Sequence, residues 1–547
     1  GLSFKTQFGF NKQDNINKTI TPSTSINPLN PGSTVPQSSE ASATFQSLNI
    51  EPQLTYTGKI SKGKLEVLAG STFFDRKTTS YRLAFTGYST DILLGSWGAG
   101  SSVSERTNSS TYYRFNSAFG RVNYNWENRY LVNLTYRRDG SSRFGPKNQW
   151  ADFGAVGLGW IFTNEKWLKN KIPGLTYGKL RGSYGTAGND NIADYRWTSL
   201  YTSAFYDGRT GLAASFLSDS SIGWENSRKL DMALDLGFLN DRILLGINWY
   251  RSRTSNLLLS TPVPAQTGFT TYITNVDAVV ENKGWEFELN TRNLNPKSKW
   301  QWTTTFNLST LKNQLLEFPD LANSSYASRL KIGLAINSPR TLLNAEWSQV
   351  FLGVNDTTGL PVFKDLDGNG LINNNDRTYI GSAMPRLFGG FGNKVSFKGF
   401  ELDLFFQFSQ QLATNWMFNS VYPGQLSNPA LADWYGNYWT KPGDKTKYPR
   451  LFSGTTNTTT NLLSSIYPLS SAALVDILYV RLKNLSLSYT LPTEWVSKAK
   501  MNRAVVYVRG QNLLTWTSER LYKDPELIML RSGQVLRTWT AGIQLTF

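Results

Sequence analysis

The chain has 547 residues and not one cysteine or histidine. Without cysteine there are no disulfides, no thiolate nucleophile and no cysteine-held zinc. Without histidine there is no imidazole base, no Ser-His-Asp triad and no imidazole metal ligand. Charge is scarce as well, at 17% of residues against roughly 25% in soluble domains. No run of 18 apolar residues occurs and mean hydropathy is −0.35, so no helix of this sequence is built to span a membrane. Bilayer-crossing strands remain open, because alternation of apolar and polar residues keeps mean hydropathy low. Acidic residues number 39 against 56 Lys and Arg, a formal charge of +17. The cations are dispersed and no nucleic-acid-binding signature accompanies them, which argues against a nucleic-acid partner.

What is present is aromatic and alternating. Aromatics make up 14%, with 18 Trp and 26 Tyr. Apolar side chains recur at every second position in Leu230, Met232, Leu234, Leu236, Phe238, then in Ile243, Leu245, Ile247, Trp249, and again in Trp285, Phe287, Leu289. Leu402, Leu404, Phe406 and Phe408 repeat the pattern. Helical geometry would scatter these residues around an axis, whereas a strand collects them on one face.

The reading predicts an all-β chain of about sixteen strands. They fall near 2–13, 44–60, 64–83, 112–127, 129–140, 150–163, 175–188, 228–239, 242–257, 279–292, 299–314, 386–397, 400–412, 475–490, 503–516 and 535–547. Short links alternate with long ones, placed at 14–43, 84–111, 189–227, 258–278, 315–385, 413–474 and 517–534. Short turns on one side and long loops on the other are the pattern of a transmembrane antiparallel β-barrel with external loops, and a sandwich has no reason to sort its links so. Both chain ends fall on the short-turn, periplasmic side. Residue 1 opens directly into what reads as a strand, GLSFKTQFGF, and the last strand puts Trp539, Ala541, Ile543, Leu545 and Phe547 on one face.

One motif carries metal chemistry. Asp365, Asp367, Asn369, Leu371 and Asp376 stand at positions 1, 3, 5, 7 and 12 of a loop with a Gly turn at 370, the oxygen spacing that suits Ca²⁺. Leu371 would offer its backbone carbonyl, and Asp376 has a shorter arm than the usual Glu. The bland alternative is an Asx/Gly turn that pins a loop without metal. The long 413–474 loop offers flat aromatic faces in Trp434, Tyr435, Tyr438 and Trp439, suited to a sugar ring or a partner, or to packing of the loop on itself. Glu286, Glu288, Glu401 and Asp403 read as water-facing strand residues rather than a glycosidase pair. Gly154, Gly157 and Gly159 lie in a strand with no helix behind them, which rejects a nucleotide-binding loop. Residues 21–40 are Pro/Ser-rich and read as an exposed loop.

Several segments jointly resemble the SusC/RagA class of TonB-dependent outer-membrane transporters of Bacteroidetes. They are NRYLVNLTYRRDGSSRFGP (128–146), LRGSYGTAGNDNI (180–192), NKGWEFELN (282–290), VFKDLDGNGLINNNDRTYIGSAMPRLFGGFGN (362–393), ADWYGNYWTKPGDKTKYPRL (432–451), YVRLKNLSLSYTLP (479–492), VYVRGQNLLTWT (506–517) and RTWTAGIQLTF (537–547). The resemblance implies a barrel of about 22 strands around a plug. This chain is expected to supply about sixteen of them, without plug, TonB box or N-terminal extension. It further implies import of oligosaccharides or peptides with a SusD-like surface lipoprotein, dimers of transporter–lipoprotein pairs, TonB acting through a plug segment elsewhere, and no enzymatic activity. The positive excess would then meet anionic lipopolysaccharide or an acidic plug. A passive 16-strand porin and a β-rich surface adhesin are the competing readings.

Overall fold

The computed structural model describes residues 1–26, 35–168, 171–321, 324, 346–415, 418, 435–452, 461–518, 526 and 535–547. Among them the regular structure is almost wholly strand, and no helix is long and apolar enough to cross a membrane. In chain order the strands are β1 (Leu2–Thr21), β2 (Gln37–Ile60), β3 (Gly63–Thr86), β4 (Ser102–Trp126), β5 (Tyr130–Ser141), β6 (Trp150–Trp160), β7 (Leu175–Asn189), β8 (Tyr201–Tyr206) and β9 (Arg209–Ala214). There follow β10 (Glu225–Phe238), β11 (Ile243–Ser255), β12 (Leu257–Pro262), β13 (Thr271–Val276), β14 (Val279–Arg292), β15 (Trp300–Thr310), β16 (Lys312–Glu317), β17 (Glu346–Gln349) and β18 (Phe351–Val354). The last are β19 (Pro361–Phe363), β20 (Arg377–Gly381), β21 (Leu387–Phe397), β22 (Phe400–Thr414), β23 (Leu474–Thr490), β24 (Arg503–Thr517) and β25 (Thr538–Thr546). Seventeen of these form antiparallel wall sheet; the other eight pair as four small hairpins, β8–β9, β12–β13, β17–β20 and β18–β19.

The chain divides into two compact units, one of Gly1–Leu158, Ser183–Arg228 and Asn256–Val276, the other of Gly159–Gly182, Lys229–Ser255 and Asp277–Phe547. In the first, β1 through β5 pair in sequence order, each antiparallel to the next. In the second, β11 pairs with β14, β14 with β15 and β16, and the run continues β15–β21–β22–β23–β24–β25. The short links are tight because the chain there tolerates left-handed backbone. Glu127 and Asn128 both have φ near +50°, and Lys398 (+44°) and Gly399 (+88°) are also at positive φ, the conformation that matches hairpin turns to strand twist. A Cβ on Gly399 would meet the Thr490 carbonyl oxygen at 2.7 Å, so glycine is required twice over.

Register keeps each apolar residue opposite another on the same face. Leu245 faces Leu289, Ile247 faces Phe287 and Trp249 faces Trp285. Toward the short-turn ends Trp300 stacks on Phe397 at 4.1 Å, and Phe400 meets Tyr489 at 4.3 Å with the rings tilted by 32°. A one-residue slip would turn every such side chain to the wrong face, so the pattern fixes the register.

All sixteen predicted wall strands are present, the one near 299–314 being broken at Leu311 into β15 and β16. Several loop boundaries need correction. The link expected at 14–43 is only 22–36, and that at 84–111 only 87–101, because β1, β2 and β4 run farther than the apolar alternation does. The end of the Pro/Ser-rich stretch, Gln37–Glu40, is strand. The loops 189–227, 258–278 and 315–385 are not featureless either: they carry the small hairpins.

Candidate functional site

In the first unit, two of the motif segments meet. Asp190 follows β7, and its carboxylate accepts the Tyr113 hydroxyl at 2.7 Å and the Ser141 hydroxyl at 2.6 Å. Arg143 lies 3.6 Å from the same carboxylate, donates to the Asp190 carbonyl at 3.0 Å and pairs with Asp194 at 3.0 Å. Its guanidinium also sits 4.5 Å from the centre of the Tyr113 ring. Ser141 is fully buried. Beside this cluster, Phe144, Ile192 and Ile222 form a dry core, joined by Trp197, Trp224, Leu258 and Ile273. The long loop 189–227 is thereby clamped to the wall and to the hairpin β12–β13. The sequence reading quoted both segments without seeing that they join; a charged residue in each was the available signal.

In the second unit, the acidic loop lies between β19 and β20. Asp365 accepts the backbone N–H groups of Gly368 (2.7 Å) and Gly370 (2.8 Å), both glycines having φ near +75°. Asp376, fully buried, accepts Leu366 N–H and Asn373 N–H at 2.8 Å each. Asn369 accepts Leu371 N–H at 2.7 Å, and Asp367 accepts the Asn369 side-chain amide at 2.9 Å. Oxygens of Asp365, Asp367 and Asp376 lie within 4.8 Å of one another. Two oxygens on opposite sides of a Ca²⁺ ion stand about 4.6–5.2 Å apart, so the three carboxylates fit one such sphere. The Gly370 N–H, then the other backbone donors, hold the Asp365 carboxyl below the usual carboxylate range.

The aromatic set is not one platform. Trp434 lies outside the described residues. Tyr435 is 80% exposed. Tyr438 bridges to the buried Tyr448. Trp439 donates its indole N–H to the Asp356 carbonyl at 2.8 Å and covers Gly359, where a Cβ would fall 2.4 Å from the ring. Its ring holds a turn rather than offering both faces to a ligand. Asp444 accepts the Thr440 hydroxyl at 2.6 Å with the Thr440 and Lys441 N–H groups, and these bonds, the hydroxyl first, lower its pKa.

The strand carboxylates are spent on neighbours: Glu286 accepts from Asn248 at 2.9 Å, Glu288 from Asn290 at 3.0 Å, and Glu401 pairs with Lys394 at 2.8 Å. Glu286 and Glu288 thus lie on the strand face opposite Trp285, Phe287 and Leu289, each with a polar neighbour.

Residues 1–513 match the family described as "TonB dependent receptor-like, beta-barrel". The chain is 29% identical to TonB-dependent receptor P3 of Formosa agariphila, with all of this chain and 56% of that protein aligned. It is 31% identical to TonB-dependent receptor SusC of Bacteroides thetaiotaomicron over 60% of this chain and 33% of that protein. Among solved structures the RagAB peptide transporter superposes with a TM-score of 0.82 at 24% identity, covering all of this chain and 60% of the other, which shows a shared fold. The chain spans about half the length of the first of these relatives. Alternating wall strands, sorted links and a match over nearly the whole sequence place this chain in the TonB-dependent receptor family of outer-membrane β-barrels, on its SusC/RagA-like side.

Proposed function

We propose that this chain is barrel wall of an active importer that takes up oligosaccharides or peptides across the outer membrane, with no chemistry on the cargo. The family match over residues 1–513 is the observation that carries this reading. The sorted link lengths support a reading in which the long loops lie outside and both ends of the chain lie in the periplasm. A SusD-like lipoprotein would sit over those loops, in a dimer of transporter–lipoprotein pairs. TonB would act through a plug segment outside these 547 residues. Exposed Tyr435 is the aromatic best placed to touch cargo or lid, with Tyr438 and Trp439 shaping the loop behind it. The 365–376 loop is proposed to hold Ca²⁺ as a structural clasp, because its oxygen spacing suits that ion and its glycines permit the turn. Uptake by cells that carry the full-length protein tests the reading. Accumulation of a labelled oligosaccharide or peptide pool should vanish when TonB is deleted. Accumulation that persists without TonB, with steady conductance in planar bilayers, would make this a porin instead.

A further inference from the structure

The lipid-facing ladder of β11, β14 and β16 changes character abruptly at its loop end. Moving along it, the opposed pairs are Leu245–Leu289, Ile247–Phe287 and Trp249–Trp285, and the next is Arg251–Lys283. Lys283 in turn stands opposite Lys312 on β16. Three cations thus lie in one row across three adjacent strands, on the face that continues the apolar band and one pair beyond its tryptophans. Strands are about 4.8 Å apart, so the row is about 10 Å long. Directly opposed like charges destabilise a sheet. One acid answers them: Glu281, buried, accepts Lys283 at 2.7 Å and Arg253 at 2.8 Å. Four cations against one carboxylate leave +3. The side chains of Arg251 and Lys312 have no hydrogen-bonding or ionic partner among the described residues. Beside Lys312 opens a cavity of about 530 Å³ that is also lined by Asn313, Gln314 and Arg386.

We infer that this row is a binding site for the phosphate groups of a lipid headgroup in the leaflet that faces the long loops. The inference rests on the outer-membrane orientation proposed above. Charge complementarity requires an anion, and continuity with the apolar band requires that the anion carry acyl chains that lie along Leu245, Ile247 and their partners. A phosphorylated glycolipid meets both demands. Each surface cation near anionic lipid is worth about fivefold in binding, so three together are worth about a hundredfold.

The test uses the full-length protein purified from outer membranes in detergent. Bisphosphorylated lipid A and the same lipid with its phosphates removed are titrated separately, and bound lipid is counted by native mass spectrometry. The triple variant Arg251→Gln, Lys283→Gln, Lys312→Gln should bind the phosphorylated lipid about a hundredfold more weakly, and the dephosphorylated lipid unchanged. Lys394→Gln, a wall cation paired with Glu401 at the short-turn end, should match the parent. Retention of the folded, heat-shifted gel band establishes that each variant is intact; if the triple variant loses it, Lys312→Gln alone should still lose about fivefold. Parent-like binding of both lipids by the variants overturns the site. Competition by millimolar inorganic phosphate as effective as the lipid would assign the row to free anions and overturn the lipid reading. Loss of TonB-dependent uptake with lipid binding intact bears on the import proposal alone.

Discussion

At the scale of single residues, the molecule concentrates its specific chemistry in a few carboxylates. Asp190 serves two hydroxyls and sits beside Arg143. Asp190→Ala would strand the buried Ser141 hydroxyl, at a cost of about 1–3 kcal/mol. The expected result is faster proteolytic cleavage within 189–227 with the gel band of the folded wall unchanged. Asp365 behaves differently because it is only partly buried and is held by backbone donors. Its pKa is lowered on folding, so the stability it contributes is full above the ordinary carboxylate value of about 3.9 and is lost as pH falls below that. Protease resistance of the 365–376 loop should therefore hold at pH 5 and fail in stronger acid. Calorimetry with CaCl₂ should show binding that Asp365→Ala with Asp367→Ala abolishes; no heat in the parent at millimolar Ca²⁺ would leave the turn without its ion. The acidic loop was legible in the sequence because its partners lie within twelve positions of each other. The Asp190 clamp was not, because Ser141 and Tyr113 are 49 and 77 positions away.

At the scale of elements, the sequence told most where one strand face meets lipid. Alternation of Ile243, Leu245, Ile247 and Trp249 located β11 almost to its ends. It failed beyond the bilayer, as in the NKQDNINKTIT end of β1, where both faces meet water and no apolar signal is written. There the strand persists through its backbone ladder with β2. The hairpins β8–β9 and β12–β13 escaped notice because each strand has only six residues, too few for a period of two to stand out. The break between β15 and β16 was also unwritten. Gly284 makes room for it, since an added Cβ there would lie 1.9 Å from the Thr310 carbonyl oxygen. Gly284→Ala must shift that junction, so we expect a loss of about 1–3 kcal/mol in urea unfolding from micelles. Gly9→Ala, whose Cβ would meet only the Asn49 Cβ at 3.8 Å, should stay within about 0.5 kcal/mol of the parent.

At the scale of the whole molecule, a barrel family with strands of this kind should give heat-modifiable material: the native full-length protein should run faster in gel electrophoresis before boiling than after. A detergent-free, stable monomer with no shift would contradict it. One feature of the first unit then bears on mechanics. The strands β2, β3 and β4 have 24, 24 and 25 residues. A tilted strand needs about 9–11 to cross a bilayer. More than half of each therefore stands clear of the membrane and keeps its ladder there, β2 to β1 and β3, and β4 to β3 alone beyond Phe115. Load along such a ladder is shared by all its hydrogen bonds at once, so this part of the rim acts as a stiff parapet. Its amides should exchange with solvent far more slowly than those of loops at the same height. Any hinge that admits cargo must then pivot on segments other than these three strands.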